Sequence, residues 1–244
     1  MKNQKNINQL QVSKLYKSFG NKKVLDNINF VISTGEFVLL TGSNGSGKTT
    51  LIRIISSLCS HDKGEIKIFE KSLKNEIEIV KSKIGFGMHK SMMYDDFTGK
   101  ENLEYSSDLY GITNKKENLK NIVDRFQLVE ILEKKIKYLS QGQIKRIANA
   151  KAFLNNPKLI ILDEPDSGLD KLSQEILLKE IIKQKKLGTS ILLASHRFEK
   201  WIDIADQVLL MENSSLVNIT NDRKNLRSWI LLKPYGLSLK EISS

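Results

Sequence analysis

The sequence holds one cysteine, Cys59, three prolines and three histidines in 244 residues, and it holds no long apolar run. A single cysteine excludes a disulfide framework and any zinc site built from several cysteines, and it suits a reducing compartment. The longest apolar pieces are short, such as Phe37 to Leu40 and Leu159 to Leu162, far below the ~18 residues that a membrane-spanning helix needs. The chain is therefore not expected to cross a bilayer by itself. The polar, amide-rich stretch from Met1 to Gln11 lacks the apolar segment of a secretory signal, so the protein is expected to stay where it is made. Repeats at periods of roughly 20 to 50 residues are missing, which removes solenoids and propellers. Basic side chains outnumber acidic ones, 39 to 28, for a net charge of +11. The lysines are scattered and little interleaved with aromatics, so no specific nucleic-acid partner is expected, only the non-specific binding of a cationic chain at low salt.

What is present is apolar patterning. A hydrophobic share of 40% can bury the core of one large domain, or of one domain with an insertion. From residue 12 to 40, Val24-Leu25, Ile28 to Ile32 and Phe37 to Leu40 are separated by turn signals such as Thr34-Gly35, which predicts hairpin strands leading to a buried strand. Lys48 to Cys59 carries Leu51, Ile52, Ile54, Ile55 and Leu58 at helical spacing, and Gly64 precedes a strand over Glu65 to Phe69. Glu101 to Tyr138 is helical in period, with Leu103, Leu119, Ile122, Phe126 and Ile131 among its apolar positions, and a further helix follows Ser140. Leu159 to Leu162 and Ser190 to Ala194 are continuous apolar runs of the kind found in parallel strands buried on both faces. The expected fold is α/β with a mostly parallel sheet, an N-terminal antiparallel β-subdomain and an inserted helical subdomain at about 90–155, all within 10–216. The tail, 217–244, suggests no function.

Between a predicted strand and a predicted helix lies Gly42-Ser43-Asn44-Gly45-Ser46-Gly47-Lys48-Thr49. Glycine, four residues, glycine, lysine and a hydroxyl residue form a phosphate-binding loop. The glycines let consecutive amides and the helix N-terminus face phosphates, Lys48 reaches the β and γ phosphates, and Thr49 offers a hydroxyl to magnesium. Thr50 completes the candidate set, and the expected ligands are ATP and Mg2+. In Leu159-Ile160-Ile161-Leu162-Asp163-Glu164-Pro165 two acids follow a buried strand, at the edge where open α/β sheets bind ligands. Alone they would read as a loop start or helix cap. With the phosphate loop, Asp163 becomes a candidate for the magnesium shell and Glu164 for orienting or deprotonating the attacking water.

Across about 10–215 the chain now resembles the ATP-binding-cassette (ABC) ATPase family, because further motifs stand in that family's order. Leu139-Ser140-Gln141-Gly142-Gln143 is similar to the family signature, with Gln141 in place of its first glycine. The resemblance implies that Ser140, Gly142 and Gln143 touch the γ-phosphate of ATP held by a second subunit; without it, Ser140 is an ordinary N-cap. Ser167-Gly168-Leu169-Asp170 resembles the D-loop, which crosses the subunit interface, although Asp170 also suits a helix cap. His196, after Ala194-Ser195, resembles the switch histidine that contacts the γ-phosphate; a lone histidine at a strand end is otherwise commonly structural. Tyr16 stands where the family stacks an aromatic ring on adenine, with Phe19 as the alternative. The stretch Ile84 to Leu103 resembles the Q-loop region, but His89 or Lys90 occupies the place of the glutamine.

The family resemblance implies an ATP-hydrolysing subunit at the cytoplasmic face of a membrane, peripheral through separate integral membrane transporter subunits. It also implies pairing with a second ABC ATPase subunit, as a homodimer or heterodimer. The run from Ile84 to Leu103 looks like exporter-type cassettes, including the heme-exporter ATPase of cytochrome c maturation. Two other classes stand beside this one: a soluble cassette in cluster assembly or nucleic-acid processing, and an unrelated phosphate-binding-loop kinase. Tandem soluble cassettes would need two copies of these motifs, and the signature and D-loop argue against the kinase.

Overall fold

The computed structural model describes residues 8–88 and 92–220. The first two strands, β1 (Asn8–Phe19) and β2 (Lys22–Ser33), form an antiparallel hairpin. β4 (Lys63–Ile68) pairs with β1, and β5 (Lys71–Ser72) lies outside it, giving a four-stranded sheet in the order β2-β1-β4-β5. The second sheet is built on β3 (Phe37–Thr41), β6 (Ile84–Gly87), β7 (Leu159–Asp163), β8 (Ser190–Ala194), β9 (Gln207–Glu212) and β10 (Ser215–Asn218). Its order is β10-β9-β3-β8-β7-β6. Every pairing in it is parallel except that of β10 with β9.

Residues of β3, β7 and β8 are buried throughout, which is why these strands read as unbroken apolar runs rather than as alternations. The period-two geometry of a strand sends neighbours to opposite faces. Ile160 and Leu162 join one core cluster, while Leu159 and Ile161 join the other. The second cluster gathers Leu10, Ile28 and Ile66 from the hairpin sheet with Leu51 and Ile55 of α1 (Lys48–Ile55). The first takes Leu103 of α3 (Gly99–Leu109), Ile122 and Phe126 of α4 (Lys115–Phe126), Ile147 of α5 (Gln141–Lys151) and Ile181 of α6 (Lys171–Lys186). α2 (Leu73–Lys81) follows β5.

Parallel pairing aligns the strand ends. Leu40 stands opposite Ala194, Asp163 opposite Ala194, and Gly87 opposite Leu162. The phosphate loop, the two acids, His196 and the segment after β6 therefore leave the sheet from one edge.

One buried ion pair ties α4 to α6. Arg125 forks onto Glu180, its Nε 3.0 Å from Oε2 and a terminal guanidinium nitrogen on Oε1. Gln184 Nε2 also donates to Glu180 Oε1, at 2.8 Å. Glu180 is 5% exposed and Arg125 19%, so removing the cation leaves a carboxylate stranded in a dry place. Arg125→Met should lower the unfolding free energy by about 3 kcal/mol, and adding Glu180→Gln should recover part of that loss, as urea denaturation of the two variants will show.

Candidate functional site

The phosphate loop is held in shape by backbone contacts that only glycine permits. Gly42 has φ +145°, and a Cβ there would stand 2.3 Å from the carbonyl oxygen of Met211. Gly45, at φ +78°, has open space where a side chain would project, leaving its backbone approachable by a ligand. Gly47 is the N-cap of α1 and supplies no side-chain cap, so the first-turn N–H groups have no side chain closing them and suit an anion. Lys48 is buried, its Nζ donating to the carbonyls of Gly42 (3.0 Å) and Ser43 (3.1 Å). The Ser46 hydroxyl is buried without a hydrogen-bond partner among the described residues. A loop with an amine, an unengaged hydroxyl and a bare helix start fits a polyphosphate.

Across the edge, Thr49 Oγ1 donates to Asp163 Oδ1 at 3.3 Å. Asp163 is fully buried. Glu164 follows in the left-handed region at φ +48°, its N–H bonded to the Ala194 carbonyl at 2.8 Å. Its carboxylate accepts from the His196 backbone N–H at 3.1 Å and meets His196 Nδ1 at 2.8 Å. A base held by a second side chain is the arrangement that general-base chemistry requires.

These groups share a cavity of about 550 Å³, lined by Asn44, Gly45, Gly47, Lys48, Thr49, Thr50, Glu164, Ser167 and His196, with Phe19, Lys22 and Val24 from the hairpin. The ring at this cavity is thus Phe19 and not the expected Tyr16. Tyr16 sits in the ladder opposite Lys63, half-buried, whereas Phe19 closes β1 just before the turn at Gly20 and is 52% exposed. Lys17 Nζ stands 5.1 Å from the Phe19 ring centroid.

Ser140, Gly142, Gln143 and Asp170 do not line this cavity. Ser140 and Gln143 form a capping box at the start of α5, with Gln143 N donating to Ser140 Oγ at 3.2 Å and Ser140 N to Gln143 Oε1 at 3.0 Å. Asp170 caps α6 through the Ser173 N–H at 2.7 Å, which holds its carboxyl below the usual carboxylate range. Gly142 packs against the 167–170 turn, where a Cβ would lie 2.9 Å from the Gly168 carbonyl. The two motifs make one surface of their own. His89 and Lys90 lie outside the described residues.

Sequence reasoning missed Asp166 and Lys145. Asp166 accepts from the buried Ser195 hydroxyl at 3.3 Å, and burial pushes its carboxyl up. Lys145 is buried on α5 with burial pulling its ammonium down against the attraction of Asp163, Asp166 and Glu164. A charge in the middle of an otherwise legible motif is the signal in both cases, though only burial gives it meaning.

The sequence profile of the family described as ABC transporter matches residues 25–167. The linearmycin resistance ATP-binding protein LnrL of Bacillus subtilis (strain 168) is 30% identical over 86% of this chain and 68% of its own length. The ribose import ATP-binding protein RbsA of Lactococcus lactis subsp. cremoris (strain SK11) is 31% identical over 95% of this chain and 49% of its own. Among solved structures, an ATP binding subunit of an ABC transporter superposes with a TM-score of 0.83 at 28% identity, covering 96% of this chain and 98% of that one. A bacterial ABC transporter cassette solved as a dimer gives 0.76 at 25% identity, over 85% and 96% of the two chains.

Stacking on a base is worth about 1–3 kcal/mol. Phe19→Ala should therefore weaken binding of a fluorescent adenine nucleotide by about 10-fold, while Tyr16→Ala leaves it within about twofold; a titration of both variants checks the assignment.

Proposed function

Starting from the fact that this chain belongs to the ABC transporter family and is an ATP-hydrolysing cassette, we propose how its own residues carry that activity. Residues 42–50 receive the phosphates of ATP, and Phe19 stacks on the adenine. Thr49 and Asp163 hold Mg2+. Two such donors suit an ion that is bound through one or two protein groups together with substrate phosphates. When bound, magnesium neutralises charge on the transferring phosphoryl group. Glu164 orients the attacking water and accepts its proton. His196, with Nδ1 engaged by Glu164, fixes that carboxylate, and its other ring nitrogen, when it too carries a proton, donates to the γ-phosphate. The observation that carries the reading is the Glu164–His196 contact of 2.8 Å on the same cavity as Lys48 and Thr49.

The signature-like residues 139–143 stand apart from that cavity, and a second ATPase subunit supplies them. The dimeric cassette among the relatives supports this. Among the described residues no helix is long and apolar enough to cross a membrane, and we assign coupling to separate membrane subunits. An apolar groove of about 290 Å³ beside the end of β6, with Met92, Tyr94, Tyr105 and Leu109 exposed on it, is the surface for them, since exposed apolar patches mark contacts. Export is the direction proposed, supported by the Ile84–Leu103 stretch; transport into inverted membrane vesicles containing the co-purified membrane subunits decides it against import.

Glu164→Gln keeps the side chain's shape and removes its basicity. ATP hydrolysis should fall by about 100-fold or more, and saturating ATP and Mg2+ should move the variant from monomer to dimer on size exclusion. A monomeric profile under those conditions counts against the shared site.

A further inference from the structure

Lys145 lies in the middle of α5 and is 7% exposed. Its Nζ donates to the carbonyl of Met88, just past β6, at 3.1 Å and approaches the carbonyl of Asp163, at the end of β7, at 3.4 Å. Burying an ammonium is costly before compensation, and an apolar side chain of similar volume would serve packing as well or better. The group is therefore spent on what it touches.

It touches two carbonyls, and the second belongs to the peptide unit that leads into Glu164. The carbonyl of Asp163 and the N–H of Glu164 belong to the same plane. The N–H is gripped by the Ala194 carbonyl at 2.8 Å, and the carbonyl faces Lys145. The next residue, Glu164, sits at φ +48°, a conformation that is strained for a non-glycine residue and persists only where its surroundings hold it. β8 holds the peptide from one side and α5 from the other. The 3.4 Å contact is long for a hydrogen bond, so a small shift of α5 tightens or releases it. α5 begins with Ser140, Gln141, Gly142 and Gln143.

We propose that Lys145 is a positioning residue for ATP hydrolysis, its ammonium fixing the Asp163–Glu164 peptide so that the carboxylate of Glu164 points at the attacking water. Through the same contact, engagement of the start of α5 at a subunit interface is transmitted to the base. The inference rests on the role given above to Glu164.

The test uses the purified full chain and measures steady-state ATP hydrolysis. Wild type is assayed first, and a wild type without turnover overturns the underlying reading. Lys145→Met keeps length and removes the charge; kcat should fall by about 10-fold or more with the ATP KM within about twofold, and Lys145→Arg should restore most of the lost rate. Where Lys145→Met fails to fold, Lys145→Gln is expected to show the same split. A kcat within twofold of wild type in the folded variant, or parallel loss of kcat and ATP affinity with no rescue by Lys145→Arg, overturns the positioning role alone.

Discussion

Parallel pairing brings four chain exits to one edge: the phosphate loop after β3, the acids after β7, His196 after β8 and Met88 after β6. Lys48, Thr49, Asp163, Glu164 and His196 each lie at or a short step beyond the end of a strand that is buried throughout. Those strands cannot slip by one residue without exchanging their contents between the two cores. Register, set by apolar packing, therefore sets the separation of Thr49 from Asp163 and of Glu164 from His196. The chemistry inherits its precision from the hydrophobic clusters beneath it.

The same edge concentrates charge where water is scarce. Asp163, Asp166 and Glu164 are all at most 9% exposed, and Lys145 is 7% exposed. Like charges so placed repel, and each loses hydration. Local bonds compensate: Thr49 to Asp163, Ser195 to Asp166, His196 to Glu164, Lys145 to two carbonyls. Several of these partners come from different elements, so the site is a junction of loop, strand and helix rather than a property of one motif. The Arg125–Glu180 pair does similar work farther away, joining α4 to α6.

Much of this was legible in the sequence, and what was not has identifiable causes. Strand, glycine loop and helix were readable because the loop needs a fixed spacing and because buried parallel strands leave unbroken apolar runs. Of the two rings named for the adenine, it is the alternative, Phe19, that lines the cavity. β1 departs from regular register between Val12 and Ser18, with Lys14 at φ +46°, so neither alternation nor position in the motif tells which ring emerges. The burial of Lys145 was not legible, since it depends on β6 and β7 meeting α5. That residues 140–143 stand away from the cavity agrees with what the family resemblance implied, although no spacing within the chain encodes it.

The capping box at Ser140 has a further consequence. Its oxygen accepts from the Gln143 N–H, which uses a lone pair and leaves the hydroxyl hydrogen to give away. Aspartate, asparagine and threonine also start helices well, so folding alone would accept any of several residues there. A phosphate docking from another subunit would be repelled by aspartate, whose ionised carboxylate has nothing to donate. Were position 140 to meet a neighbour's phosphate, it would answer two demands at once, an acceptor to begin the helix and a hydrogen to give away, which a small hydroxyl meets and an ionised carboxylate does not.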